Sequence, residues 1–395
     1  MIRNLTALAV GLILAVLAAE GALRLFKGSS QVTRSRFGQI PHVTHEGTYL
    51  PWTLEPGRED RHIDPYGEFN TAFRINSLGL RDDETPLEKP EDTFRILLLG
   101  DSMTVGWGVE AEETFSERLE LLLNDRTDGR SEYQTLNCGW AAWYTTDGAY
   151  VFLRHRLTEL DGDLVILNVF LNDPAELSPE WWRPPPPSLP DSLVAPPNTG
   201  EPVRRGPTFR SRVKSFLEHH SYIYGIMRQR LAGMARRIAK GEDLFTMEAV
   251  FGNEYPANAV ALFMERYPPS IGERMQLTER LLVGMRDLCE EKRARFAVSI
   301  IPAGFQVIDR KRERYGILPV IFHDQPYVES KAQAELTVMC ERNGIPVLDL
   351  LPAFRERGTE DCYLIWDPHM TPKGHRLVAE EMAAFLTKNG LLGNR

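Results

Sequence analysis

The chain contains few cysteines, and those present are far apart. Its 395 residues include four, Cys138, Cys289, Cys340 and Cys362. None of them is part of a C-x-x-C pair or a cysteine–histidine cluster with the spacing of a zinc site. A small disulfide scaffold needs a much denser framework than this. The sequence therefore predicts no structural metal, and we expect most of these cysteines to be buried free thiols.

An excess of positive charge is also absent. The chain has 46 Lys and Arg against 55 Asp and Glu, a formal net charge of −9. General nucleic-acid binders usually carry a basic footprint, so no nucleic-acid partner is predicted. One local exception lies between residues 201 and 240, with about ten basic and two acidic residues. It is interpreted either as a solvated helix face, as a contact with anionic lipid, or as a cover over a site.

Long apolar runs are confined to the N-terminus. Residues 5–19 carry no charge, and Arg3 precedes them on the side that the positive-inside rule keeps cytoplasmic. The run is intermediate in length between a signal-peptide core and a full membrane span. We predict that residues 1–27 are a membrane anchor or signal-anchor, with a cleaved signal and a secreted product as the alternative. Both interpretations place the remaining chain outside the cytoplasm.

The remainder divides into two parts by pattern. Residues 28–93 are polar, rich in Gly, Pro and Asp, and typical of an extended stalk or wrap. From residue 94, short aliphatic runs alternate with helical patterns, which indicates a three-layer α/β/α sandwich with a mainly parallel five-stranded sheet. The predicted strands are 94–100, 133–139, 163–170, 295–301 and 345–350, and the predicted helices are 112–126, 145–160, 271–293, 327–343 and 371–389.

An insertion interrupts this alternation at about 174–270. It opens with the proline-rich stretch 181–190, which cannot continue a helix or pair as a central strand. The predicted domain is therefore 94–395 with a Pro-rich and partly helical insertion.

Polar or glycine residues end three of the predicted strands. Ser102 follows Gly100 and Asp101 at the end of the first, Gly139 ends the second, and Asn172 follows the third. Ligands bind at the carboxyl edge of open parallel sheets. There, Ser102 can act as a nucleophile, Gly139 can present an unencumbered N–H, and Asn172 can donate to an oxyanion. Each local pattern is also an ordinary turn.

An aspartate–histidine pair near the C-terminus supplies the base that a serine nucleophile needs. Asp367 and His369 are separated only by Pro368, so the carboxylate can orient the imidazole across one loop. His375 is a competing base, but its position one turn into the last helix favours a packing role.

Together these blocks resemble the SGNH/GDSL hydrolase superfamily over residues 94–389, the insertion excepted. The resemblance rests on "GDSMTVGWG", "NCG", "FLND" and "DPHMTPKGH". It implies an acyl-ester hydrolase or acyltransferase of three-layer α/β/α architecture, with a catalytic Ser102, His369 and Asp367, and an oxyanion hole formed by Ser102, Gly139 and Asn172. No metal or organic cofactor is implied. Asp lies two residues before His rather than the commoner three, which resembles polysaccharide O-acetyltransferases and membrane-anchored bacterial members.

Three functions remain open from the sequence. The first is a deacylase acting on O-acyl esters, such as O-acetyl groups, of an envelope glycan or a small molecule. The second is an O-acyltransferase using the same residues. The third is a non-catalytic envelope protein that binds a glycan or a partner, with Trp140, Trp143, Trp181 and Trp182 stacking on sugars. The expected location is the bacterial inner membrane, as a single-pass protein with its catalytic domain outside the cytoplasm.

Overall fold

The computed structural model describes most of the predicted hydrolase domain. The described residues are 42–44, 52–63, 68–125, 132–140, 145–177, 261–308, 328–365 and 367–393. Nearly all of them belong to one compact unit, Ile40–His62, Thr71–Pro202 and Glu254–Arg395. The predicted anchor at 1–27 and nearly all of the predicted insertion lie outside the described residues. Among the described residues, no helix combines the length and the apolar character needed to cross a bilayer.

The core of this unit is a parallel sheet of five strands, as predicted. Its strands are β5 (Thr93–Gly100), β6 (Glu132–Gly139), β7 (Leu164–Val169), β8 (Arg295–Ile300) and β9 (Val347–Asp349). They are ordered β6-β5-β7-β8-β9, and each neighbouring pair is parallel. Strands β5 and β7 are buried almost throughout, which explains why their sequences are continuous aliphatic runs.

Helices connect these strands and cover the sheet. They are α1 (Ser102–Val105), α2 (Phe115–Asn124), α3 (Thr146–Leu160), α4 (Asn172–Glu176), α5 (Pro269–Glu291), α6 (Gly304–Val307), α7 (Lys331–Arg342), α8 (Leu351–Arg357) and α9 (Pro372–Lys388). Helix α9 packs against α2, whereas α5 packs against α3 and α7. Because parallel crossovers are right-handed, the change of direction at β5 places α2 on one face and α3, α5 and α7 on the other.

The segment before the sheet contains short strand pairs. Strand β1 (His42–Thr44) pairs antiparallel with β2 (Trp52–Leu54), and β3 (Glu59–Ile63) lies beside β4 (Asn70–Arg74). After β4, Asn76 shapes a turn: its Oδ1 accepts from the N–H groups of Leu78 and Leu80 at 3.0 and 2.9 Å. An Asn side chain of this kind substitutes for a backbone partner.

The four cysteines are buried free thiols in this fold. Burial raises the pKa of the Cys289 and Cys340 thiols to about 12. Thiols that resist ionisation are poor nucleophiles, so these side chains act as small apolar core residues.

A pair of carboxyl groups joins the N-terminal segment to the sheet domain. Asp82 is buried and accepts the backbone N–H of Asn137 on β6 at 2.7 Å, and its side chain is hydrogen-bonded to Glu117 on α2. Burial, followed by the charge of Glu117, raises the pKa of Asp82 well above its usual range, and burial also raises the pKa of Glu117. Over the pH range between the unfolded and the folded pKa values, the pair therefore retains a proton that the unfolded chain has released.

The retained proton predicts a pH-dependent stability. A carboxyl pKa raised by folding lowers the free energy of unfolding as the pH rises above the unfolded value, which is near 4. Glu117→Gln keeps a hydrogen bond to Asp82 without the second charge. We expect its melting temperature to exceed that of the wild type by about 2 °C or more at pH 8 and by less at pH 5. The exposed Glu356→Gln makes the same change in net charge, and an equal shift there would contradict the explanation.

Candidate active site

Ser102 begins α1 immediately beyond the carboxyl end of β5. Asp101 caps this short helix, with its carboxylate accepting the Met103 N–H at 2.9 Å. The helix ends at Gly106, whose φ of 81° lies in the left-handed region and whose N–H bonds back to Ser102 O. Asp101 thus braces the turn that carries Ser102. This turn holds the half-buried Ser102 side chain above the edge of the sheet.

His369 and Asp367 lie in a loop that closes on itself before α9. Tyr363 and Met370 form an antiparallel bridge, and the Leu364 N–H donates to His369 O at 2.9 Å. Thr371 then caps α9, and the proline that follows occupies the first helical turn, where its missing N–H carries little cost. The loop thus has a fixed exit into a helix that packs on α2.

These elements bring three predicted side chains together. Ser102 Oγ lies 2.7 Å from His369 Nε2, and His369 Nδ1 hydrogen-bonds Asp367 Oδ1. The same carboxylate oxygen accepts the His369 backbone N–H at 3.0 Å. Asp367 is 2% exposed and His369 8% exposed. With Nδ1–H donating a hydrogen bond to the carboxylate, the Nε2 lone pair is directed at the serine hydroxyl.

An aromatic wall supports the imidazole of His369, and the sequence patterns do not reveal it. The Trp107 ring stacks on His369 with centroids 5.6 Å apart and planes inclined by 30°. The buried His62 ring meets Trp107 edge-on at 3.5 Å. Burial, followed by the charge of Arg81, lowers the pKa of His62 to about 3, so His62 is neutral near pH 7. His62 lies in the polar segment interpreted as stalk or wrap, where no periodicity indicates a site.

Gly139 differs from the expectation of an unencumbered donor. Its N–H donates to Asn137 Oδ1 at 3.1 Å, because the Asn side chain reaches two residues forward along the chain. A Cβ at Gly139 would lie 2.3 Å from Val105 N and 2.6 Å from Thr104 C. Glycine is therefore needed here because the backbone of α1 rests directly on the end of β6. Its role in the structure is to admit the helix that carries Ser102.

Asn172 is the first residue of α4, which begins shortly after the end of β7. Its backbone position at the carboxyl edge agrees with the prediction, while its side chain lies outside the described residues. The adjacent Asp173 is buried and its Oδ2 accepts the Phe170 N–H at 3.0 Å. This contact fixes the turn that presents Asn172.

His375 is a packing residue, as the sequence favoured. It is 1% exposed and stacks on Phe115 with ring centroids 5.5 Å apart. Its Nδ1 accepts the Phe115 N–H at 3.2 Å, at the start of α2. Burial, followed by the charge of Arg81, lowers its pKa to about 3. The neutral imidazole therefore caps a neighbouring helix.

Trp140 is also a core residue. It is 3% exposed, and its ring packs edge-on against Phe152 with centroids 5.4 Å apart. It therefore presents no face for a sugar to stack on. Trp143, Trp181 and Trp182, the other members of that prediction, lie outside the described residues.

A metal centre has no support in the described part of the chain. No group of three or more His, Cys, Asp or Glu side chains there has the arrangement of a metal site. The serine–histidine–aspartate arrangement can carry out acyl transfer with side chains alone.

The chain belongs to the GDSL-like lipase/acylhydrolase family, whose model matches residues 98–377. The predicted SGNH/GDSL membership and the α/β fold are thereby confirmed, and with them the coarse activity of an ester-acting hydrolase. No curated protein matches the chain in sequence.

Solved structures of similar proteins have low sequence identity to this chain. TesA is 11% identical with a TM-score of 0.39, covering 75% of this chain and 99% of its own. The psychrotrophic esterase EstA from Pseudoalteromonas sp. is 13% identical with a TM-score of 0.37, with coverages of 75% and 98%. A lipase/acylhydrolase from Enterococcus faecalis is 11% identical with a TM-score of 0.36, with coverages of 75% and 96%.

The contact of α1 with Gly139 predicts a strong steric effect. Gly139→Ala forces a methyl group into backbone atoms of Val105 and Thr104, which have no flexible side chain to yield. We expect it to lower the free energy of unfolding by about 2–3 kcal/mol, measured by urea titration. Gly272→Ala is the control, because a Cβ there meets nothing within 4 Å. Equal stability of the two variants would contradict the close approach.

Proposed function

We propose that this protein is a serine esterase that cleaves acyl esters through a covalent acyl-enzyme on Ser102. The observation that carries the proposal is the continuous hydrogen-bonded chain from Ser102 Oγ through both nitrogens of His369 to Asp367. A serine hydroxyl is a weak nucleophile by itself, and an adjacent base oriented by a third group activates it.

The chemistry follows from this chain of contacts. Ser102 Oγ attacks the ester carbonyl carbon while its proton passes to His369 Nε2. The carbon–oxygen bond to the alcohol breaks, and the alcohol leaves with the proton from Nε2. Water then attacks the acyl carbon and gives a proton to His369 Nε2. The bond between the acyl carbon and Ser102 Oγ breaks, the acid leaves, and Oγ takes the proton back from Nε2. Asp367 stabilises the imidazolium formed in each step.

The developing oxyanion needs donors that are already oriented. We propose the Ser102 backbone N–H and the Asn172 side chain for this role. The Asn172 backbone stands at the same sheet edge as Ser102, because β7 is the direct neighbour of β5. Gly139 is left out of this set because its N–H already donates to Asn137 and its Cα is covered by α1.

For substrate and location, we retain the sequence-based proposals. The substrate class is an O-acyl ester, such as an O-acetyl ester, of an envelope glycan or a small molecule. The apolar N-terminal run supports an extracytoplasmic domain held at the bacterial inner membrane.

Removal of the nucleophile tests the proposed activity. The full-length chain should hydrolyse a chromogenic short-chain ester, and Ser102→Ala should reduce kcat/KM by about 10³-fold or more. Ser299→Ala is a matched control, since it removes a buried hydroxyl with no hydrogen-bond partner in the described part of the chain. Hydrolysis at the same rate by wild type and Ser102→Ala would exclude Ser102 as the nucleophile.

The two histidines give a second test with opposite outcomes. His369→Asn removes the base, and we expect a loss of about 10³-fold in kcat. His375→Asn retains an acceptor for the Phe115 N–H but loses the ring stacking, so it should lower the melting temperature while kcat stays within about threefold. Steady-state kinetics and thermal melts of both variants measure this. A larger fall in kcat in His375→Asn than in His369→Asn would contradict the assignment of His369 as the base.

A further inference from the structure

Part of the active-site wall comes from outside the region that the family model matches. That region begins at residue 98. Trp107, which stacks on His369, lies inside it, whereas Arg81 and His62 precede it by 17 and 36 positions and still contact the same turn. The segment that contains them is therefore built into the site.

Arg81 holds the turn that carries Trp107. The residue is 1% exposed, and its Nη1 donates to Val105 O at 2.7 Å and also to Gly106 O. Nη2 donates to Val109 O at 2.6 Å and to Ala72 O at 3.1 Å. Three of these four carbonyls lie on either side of Trp107 along the chain. The planar fork of the arginine therefore fixes both ends of residues 105–109 at once.

The fit of the guanidinium is close. A Cβ at Gly106 would lie 2.9 Å from Arg81 Nη1, so the glycine leaves the space in which the arginine binds. The Arg81 guanidinium also lies over the Phe73 ring, 4.6 Å from its centroid. Burial lowers the pKa of Arg81 to about 10, which leaves it protonated near pH 7. The hydrogen bonds to the carbonyls are thus charge-assisted.

The turn transmits this constraint to the base. The Trp107 backbone N–H donates to Ser102 O at 3.1 Å, so the turn that carries the indole is tied to the backbone of the proposed nucleophile. Its ring then stacks on His369, and His62 packs edge-on against the same indole. A displaced turn would therefore change the geometry of the hydrogen bond between His369 Nε2 and Ser102 Oγ.

We infer that Arg81 is a positioning residue for the proposed esterase reaction, acting through Trp107 on the orientation of His369. This inference rests on the proposed function. It makes the N-terminal segment a working part of the active site, with no contact between Arg81 and the substrate.

Arg81→Lys tests the inference in the full-length protein. Lysine keeps the charge but offers a single ammonium group in place of the fork, so it cannot hold the carbonyls at both ends of the turn. With a chromogenic short-chain ester we expect kcat to fall about 10-fold to 100-fold and KM to change by less than about twofold, because misorientation of the base affects the reacting step. An unchanged kcat in a folded variant would overturn the inference.

Arg95→Lys is the matched control. Arg95 is also fully buried, and its guanidinium donates to the carbonyls of Leu160 at 2.8 Å and of Leu87 at 3.1 Å. It lies near the start of β5, at the opposite end of the strand from Ser102. The control should lose stability to a similar degree while retaining kcat within about twofold. An equal fall in kcat in both variants would reduce the Arg81 effect to general stability and overturn the inference.

Trp107→Phe supplies an independent readout. It shortens the ring stacked on His369 without touching Arg81, and we expect kcat to fall several-fold. In the double variant, the fall in kcat should stay within about threefold of that in Arg81→Lys alone, since the two residues act in one chain of contacts. Multiplicative effects would overturn the inference. If Arg81→Lys does not fold, an unchanged kcat in Trp107→Phe would also overturn the inference. Absence of ester hydrolysis by the wild type would instead reject the proposed function.

Discussion

The hydrogen bond between Ser102 Oγ and His369 Nε2 joins residues 267 positions apart, and the fold determines whether it can form. Ser102 is placed by the end of β5, while His369 is placed by a loop that leads into α9. The two meet because α9 packs against α2, the helix of the first crossover. Parallel strands direct their carboxyl ends to one edge of the sheet, and the proposed catalytic groups lie at that edge.

Close backbone packing is the second requirement of this arrangement. Helix α1 is only one turn long and makes few hydrogen bonds of its own. Two contacts hold it in place. Gly139 has no side chain, so the backbone of α1 can pack directly against it, and the Arg81 guanidinium donates to Val105 O at the end of the helix. The position of Ser102 therefore depends on the packing around α1 rather than on the helix itself.

Much of the domain follows from local sequence pattern. The five aliphatic runs predict β5–β9 to within two residues at each end, because strands buried on both faces must be apolar. The local patterns also indicate Ser102, Asp367 and His369, which stand next to strand or helix boundaries. Their contacts are long-range, so the sequence supplies candidates and the fold brings them together.

The remaining features depend on contacts that local pattern cannot reveal. Arg81 and His62 lie in a polar segment without periodicity, and their importance comes from burial against a turn that follows them in the chain. Gly139 was correctly placed at a strand end, but its N–H is occupied by a side chain two residues earlier. Local propensity indicates which backbone angles a residue tolerates, but it does not indicate which hydrogen-bond partner that residue has in the folded protein.

Covalent labelling with a fluorophosphonate probe is the most direct test of the central claim, a serine activated by His369. Mass spectrometry of the digested full-length wild type should find one phosphonyl group on the peptide containing Ser102. The His369→Asn variant should be labelled at a rate lower by about 10²-fold or more, because the hydroxyl then has no base. Labelling at another residue, or equal labelling of Ser102 in both proteins, would contradict the account.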